Sequence, residues 1–352
     1  MKVALIHNQF KTSGGMESYL LTLVHGFLQA GDEVHVHTYE LDHQLAGSYD
    51  CTIHQMRLFL LPRRLRKYYF LKRMNRGFRR GDYDLSLSLT RTSCQDVAIV
   101  GGVHPQSVLR AGRRGWYRSI HDRVETRYEG AMFSGVPWIV AHSRAIQEEI
   151  EHHYPVDPAK IKVLYPPIDG QRFAQVDQDA RTSAAGRFGC SPDKLTLLFP
   201  SMSHKRKGLA ELLQAYKGLD PASHELIVVG DPGRGYPADP RVRFFGYVED
   251  MASLYQAVDY LVLPSHYEPF GLVVAEALHC RTPVLVTASV GAAELLEPGD
   301  GVVVADNAPA TLAGVIAGLR PRLVEPGFAG RHQLETGQHI EALKELAGCR
   351  SE

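Results

Sequence analysis

Two carboxylates eight positions apart carry the most chemistry in this 352-residue sequence: Glu268 and Glu276, within Pro264-Ser265-His266-Tyr267-Glu268-Pro269-Phe270-Gly271-Leu272-Val273-Val274-Ala275-Glu276-Ala277. An aliphatic strand ends at Leu263, and a helix is expected from about Pro269, because proline's missing donor costs nothing in a first helical turn. The amides of Gly271 and Leu272, just after Phe270, would then point at an anion, and glycine lets a phosphate approach the backbone closely. Glu268 ahead of the helix and Glu276 inside it would flank that anion. Two acceptors around one anion suit a ligand with hydroxyls at both ends, as in a nucleotide-sugar with ribose on one side of its diphosphate and a sugar on the other. The competing reading is a pair of solvated charges beside a turn glycine.

Lys205-Arg206-Lys207-Gly208 follows another strand and opens a helix, placing cations at the carboxyl edge of a sheet. A leaving diphosphate gains negative charge as its glycosidic bond breaks, so cations already in place stabilise the transition state more than the ground state. Isolated basic clusters before helices are usually solvated, which is the alternative here. In the front half, Gly14 and Gly15 lie in a polar loop after the first strand, and His104 follows Gly101-Gly102-Val103 at the end of a later one. The loop lacks the GxGxxG spacing of a dinucleotide fold, which removes the main support for a dehydrogenase. His35 and His37 share one face of a strand, where simple packing is expected.

These residues need a scaffold that brings loops together. Strands are expected at Val3–Ile6, Val34–Thr38, Leu85–Leu89, Val97–Val100 and Trp138–Ala141, with a helix from Met16 to Gln29. Tyr165-Pro166-Pro167 interrupts the pattern, since consecutive prolines forbid helix and remove ladder donors. A second alternating series runs from Leu195 to Val286. The fold class expected is α/β, with two Rossmann-like domains facing each other across a cleft, ligands lying beyond the carboxyl ends of the strands. Residues 1–165 form the first domain, 166–335 the second, and 336–352 a C-terminal helix able to pack back on the first.

Glu-Pro-Phe-Gly-Leu-Val-Val-Ala-Glu-Ala resembles the signature of glycosyltransferase family 4, retaining enzymes of the GT-B fold. Phe245-Gly246-Tyr247, Asp250-Met251, Leu254-Tyr255, Asp259, Pro264-Ser265 and Thr282-Pro283-Val284 fit the same family pattern. The resemblance implies that Glu268 contacts donor-sugar hydroxyls, Glu276 the ribose, and the amides of Gly271 and Leu272 the diphosphate. It also implies a catalytic lysine at Lys207, a histidine beside the donor sugar at His104, and the glycine-rich loop at Ser13-Gly14-Gly15. In this fold the base is often read by backbone atoms, here near Tyr247 and Val248. One departure stands out. An arginine commonly lies six positions before the lysine, where this chain has Ser201, so Lys205 or Arg206 supplies the charge or diphosphate binding is weakened.

By this resemblance the function is retaining, hexosyltransferase-type transfer from a nucleotide-sugar to a glycan or lipid-linked acceptor, with bacterial envelope polysaccharide or lipopolysaccharide core as the expected setting. Neither metal nor cofactor is needed, because lysine and helix amides take the cation's place. The rival functions are a GT-B nucleotide-sugar epimerase and a non-catalytic nucleotide-sugar-binding protein.

The chain has 39 basic and 39 acidic residues, but residues 1–165 hold 22 against 16, and the remainder 17 against 23. Nine Lys/Arg between Pro62 and Arg80 are interleaved with Leu65, Tyr68, Tyr69, Phe70, Leu71, Met74 and Phe78. That belt is expected to dock on an anionic membrane at roughly 1 kcal/mol per basic residue; no nucleic-acid motif accompanies it. Five scattered cysteines without a CxxC pair, and no apolar run near 18 residues, point to a cytoplasmic protein, peripheral on the inner face of the cell membrane.

Overall fold

The computed structural model describes residues 1–12, 14–110, 120–233, 235–237 and 239–348, so Ser13 and Cys349 lie outside it. The chain divides into two compact units, Met1–Pro167 with Gln333–Glu352, and Ile168–His332.

The first unit is built on a seven-stranded parallel sheet: Lys2–Ile6 (β1), Glu33–Thr38 (β2), Thr52–Gln55 (β3), Leu85–Ser88 (β4), Val97–Val100 (β5), Trp138–Ala141 (β6) and Ile161–Val163 (β7). Their order is β3-β2-β1-β4-β5-β6-β7. Central strands β4 and β5 are buried at every position, as a sheet covered on both faces requires. The helices include Gly15–Gln29 (α1), Arg63–Gly77 (α2), His104–Arg110 (α3), Ile120–Gly135 (α4) and Arg144–His153 (α5). Ser143 caps α5, its Oγ accepting from the amide of Ile146 at 3.2 Å.

The second unit carries a six-stranded parallel sheet: Leu195–Ser201 (β8), His224–Gly230 (β9), Val242–Gly246 (β10), Tyr260–Leu263 (β11), Val284–Thr287 (β12) and Gly301–Val304 (β13), in the order β10-β9-β8-β11-β12-β13. Its helices include Gln178–Arg187 (α6), His204–Lys207 (α7), Leu209–Tyr216 (α8), Met251–Ala257 (α9), Leu272–His279 (α10) and Pro309–Gly318 (α11). Asp177 and Asp250 cap α6 and α9.

The last helix, Thr336–Gly348 (α12), belongs to the first unit and places Ile340, Leu343 and Leu346 in the core of α1 and the sheet. Gly26 makes that contact possible. A β-carbon there would lie 2.7 Å from side-chain carbons of both Ile340 and Thr336. Tyr19 on α1 and His339 on α12 complete it with a buried 2.7 Å hydrogen bond.

Several expectations need correcting. The helix expected from Pro269 begins at Leu272 instead, with Gly271 as its N-cap at φ +93°. The helix expected at Gly208 to Leu219 forms as Leu209–Tyr216 with Gly208 as its N-cap, and Arg206 and Lys207 occupy a short turn of their own before it. In the basic belt, Phe70, Leu71 and Met74 are buried in the unit's own core beside Ile6 and Leu58. They are unavailable to a membrane; Phe59, Leu60, Leu65 and Tyr69 remain exposed. Among the described residues no helix is long and apolar enough to cross a membrane, and the four described cysteines are free thiols.

Candidate functional site

In both sheets the chain reverses its direction of growth at one point, between β1 and β4 in the first unit and between β8 and β11 in the second. Loops leaving the two strands at such a point diverge and leave a crevice, the usual ligand position in an open parallel sheet. In the second unit the two diverging loops carry Arg206-Lys207-Gly208 after β8 and Pro264 to Gly271 after β11.

These loops are tied to each other. The amide of His266 donates to the Arg206 carbonyl at 3.0 Å, and the Arg206 guanidinium donates to the Tyr267 carbonyl at 2.8 Å and to Glu268 Oε2 at 3.0 Å. Gly208 adopts φ +82°, and a β-carbon on it would fall 2.1 Å from the Pro264 carbonyl oxygen, so only glycine fits. Glu268 is held from behind, its amide donating to the Ser289 carbonyl and its carbonyl accepting from Gly291. Lys207 Nζ lies 3.6 Å from the same Glu268 oxygen and donates to the Pro200 carbonyl. Burial pushes the Lys207 ammonium below its usual range, and the Glu268 carboxylate opposes that shift. One carboxylate therefore faces two cations at the mouth of a crevice, with the first amides of α10 beside them.

Glu276 lies a turn inside α10. Burial raises its carboxyl above the ordinary range, against the pull of Tyr255, Arg172 and Lys207. Tyr255 Oη donates to Glu276 Oε2 at 2.7 Å. Phe270 is buried and its carbonyl accepts from Ala292, which holds the Gly271-Leu272 turn in place. Ser201 is turned inward, its Oγ accepting from Ser203 and its carbonyl from Asp231. Arg206, not the exposed Lys205, is the cation that reaches Glu268. Tyr247 and Val248 follow β10 at the sheet edge, two strands from β8, with Tyr247 well exposed.

In the first unit, Gly14 is the N-cap of α1 and Gly15 its first residue; neither is buried. Beside them His7, at the end of β1, meets Glu17 at 3.4 Å. His104 opens α3 and is held twice by α4. Its amide donates to Glu129 Oε2 at 2.9 Å, and its ring Nε2 lies 3.2 Å from Asp122 Oδ1. Sequence reasoning missed this support, although the signal was present: Asp122, Glu125 and Glu129 recur at helical spacing on one face of α4, and all three are buried.

The rest of that face is a charge network. Glu125 accepts from Lys67, Tyr68 and Arg91, and Glu129 from Arg91 and Tyr154, at 2.6 to 2.9 Å. Burial pushes the Glu125 carboxyl up, but Lys67 and Arg91 more than offset it and hold it below its usual range. Removing one partner of such a network leaves uncompensated buried charge. Glu125→Ala should cost about 3 kcal/mol, read as a lowered midpoint in urea with an unchanged slope.

Comparison with known proteins agrees with this architecture. The model for Glycosyltransferase Family 4 matches residues 13–172, and the model for Glycosyl transferases group 1 matches residues 194–320. A probable transglycosylase of Burkholderia thailandensis is 31% identical over 358 residues, covering 99% of this chain and 97% of that protein. This chain belongs to glycosyltransferase family 4. A D-inositol 3-phosphate glycosyltransferase of Geodermatophilus obscurus is 34% identical over 61% of this chain and 53% of its own length. Among solved structures, WaaG, a glycosyltransferase involved in lipopolysaccharide biosynthesis, superposes with a TM-score of 0.75 at 20% identity over 98% of this chain and 94% of its own. The Anabaena protein HepE in complex with UDP-glucose gives 0.69 at 18% identity over 99% and 95%. The glycosyltransferase is thus of the GT-B type, with two Rossmann-like units.

Proposed function

We propose that this glycosyltransferase moves a hexose from a nucleotide-sugar to a hydroxyl of a glycan or lipid-linked glycan, with retention of the anomeric configuration. The observation that carries this reading is the convergence of Lys207, Arg206 and Glu268 at the switch point of the second sheet, beside the start of α10. The diphosphate lies on the α10 amides and the two cations, Glu268 accepts from donor-sugar hydroxyls, and Glu276 takes the ribose. The bond between the anomeric carbon and the phosphate oxygen breaks, and the acceptor oxygen attacks the same face. The acceptor's proton passes to the departing phosphate oxygen, so no carboxylate nucleophile and no metal ion is required. From the family resemblance we assign His104 to the donor sugar, and Gly14 and Gly15 to close approach of the diphosphate or the acceptor. Backbone atoms at Tyr247 and Val248 meet the base.

Arg206 takes the role that Ser201 cannot fill. Arg206→Ala should weaken binding of the nucleoside diphosphate about tenfold, while Lys205→Ala leaves it within twofold, as measured by calorimetry.

UDP-glucose, the ligand of HepE, is the first donor to try. Turnover that requires an acceptor, with a product whose anomeric proton signal shows the donor's configuration, supports the reading. Acceptor-free conversion of the sugar indicates an epimerase instead, and binding without turnover a sensor. A covalent sugar on Glu268 overturns the same-face mechanism.

The acceptor we assign is an envelope glycolipid at the inner membrane face. Phe59, Leu60, Leu65 and Tyr69 are exposed beside the exposed cations Arg63, Arg64, Lys72 and Arg73. Vesicles with anionic head groups should therefore bind the chain in low salt and release it as salt rises, and Leu60→Glu should weaken that binding. Equal binding to neutral and anionic vesicles overturns the membrane assignment.

A further inference from the structure

Tyr255 is a fully buried side chain that bonds directly to a proposed donor-binding group. It lies on α9, has no exposed surface, and donates its hydroxyl to Glu276 Oε2 at 2.7 Å. Its backbone is anchored as well. The Tyr255 carbonyl accepts from Thr282 Oγ1 at 2.6 Å, and that same threonine oxygen accepts from Arg181, a buried side chain that also reaches the carbonyls of Cys280 and Val258. The ring is tilted against Phe173 at 6.0 Å. The hydroxyl is thereby fixed against the Glu276 carboxylate from within the packed interior.

We propose that Tyr255 is a positioning residue that aims Glu276 at the donor ribose. This rests on the donor-site reading above and extends it to a residue that touches no ligand. A glutamate on a helix has three rotatable bonds, and ordering them on binding costs affinity. A hydrogen bond that holds Oε2 from behind removes much of that freedom before the nucleotide arrives, and leaves Oε1 to accept from a ribose hydroxyl. The tyrosine's other contacts fix its own rotamer, so the aim comes from the packed interior and not from the ligand.

The test uses the full chain and calorimetric titration with UDP, GDP and ADP, followed by the 2′-deoxy and 3′-deoxy forms of whichever binds best. Tyr255→Phe removes one oxygen and no carbon. It should weaken the ribonucleotide about tenfold and leave the deoxynucleotide lacking the recognised hydroxyl unchanged, so that the preference for ribose collapses. Glu276→Gln should cause the same collapse, and the double variant should lose no more than Glu276→Gln alone, because both act through one bond. Equal weakening of ribo- and deoxynucleotide by Tyr255→Phe, or a preserved ribose preference, overturns the positioning role while leaving the donor site standing. A wild-type chain that shows no ribose preference, or a Glu276→Gln variant that keeps it, removes the donor-site reading and this inference with it. Should Tyr255→Phe fail to fold, the comparison passes to Glu276→Gln against the double variant, in which no buried carboxylate lacks its donor. Further loss of ribose preference in the double variant then overturns the proposal.

Discussion

Lys207→Ala is expected to lower kcat by about a hundredfold to a thousandfold, with a much smaller change in KM. The magnitude is that of deleting one preorganised group aimed at charge that develops in the transition state. The ammonium sits in a largely buried position, 3.6 Å from Glu268, where its field is screened less than at an open surface. Arginine should not rescue the variant, because its planar fork cannot occupy the place of a compact ammonium that also donates to the Pro200 carbonyl. Steady-state kinetics with a nucleotide-sugar and acceptor decide the matter. A variant whose KM rises while kcat holds would show that Lys207 binds ground and transition states alike.

The second large effect is acid instability concentrated in the first unit. His37, His142 and His339 all belong to it, and burial lowers each to about 3, with the neighbouring His54 and His35 adding to the shift at His37 and His339 to that at His142. In the unfolded chain the same groups titrate near 6.5. As pH falls below about 6.5 the unfolded state therefore takes up protons that the folded state refuses, and stability declines until the pH nears the folded value. Between pH 7 and pH 5 each histidine removes about 2 kcal/mol, and three together approach the whole stability of a typical domain. In the second unit Glu276 and Asp259 are shifted upward by burial, which has the opposite sign: their protonation favours the folded form as pH falls. Both tryptophans of the chain lie in residues 1–167, so tryptophan fluorescence reports the first unit alone. Its acid transition should come at a higher pH than the main loss of far-ultraviolet circular dichroism. Coincident transitions would refute the assignment.

Much of this was legible in the sequence because aliphatic runs and helical periodicity report burial directly. Val3–Ile6, Leu195–Phe199 and Tyr260–Leu263 are central strands whose every residue faces a covered layer. Edge strands carry less signal. Thr52–Gln55 alternates exposed and half-buried residues, and Ile161–Val163 is only three residues long. The start of α10 was misjudged by three residues, because Pro269 fits a first helical turn by propensity while the bridge between Glu268 and Val290 keeps the chain extended there. The donor-side cations were readable from the run Lys205-Arg206-Lys207, but which of them meets Glu268 depends on the turn of α7 and the break at Gly208. His35 and His37 do pack, stacking with His54, a partner contributed by an edge strand that periodicity did not reveal. Tyr255 was legible as part of the family pattern but its role was not, since a buried tyrosine in an amphipathic helix looks like any other core aromatic until its hydroxyl is located.

The return of α12 to the first unit bears on how the polypeptide matures. One unit is continuous, Ile168–His332, and emerges from the ribosome complete, whereas the other waits for its final helix until the whole of that unit has been made. Until then Gly26 and its neighbours on α1 present an open apolar notch to the surroundings. Nascent chains stalled before residue 333 should therefore hold a protease-resistant second unit beside a first unit that chaperones still recognise.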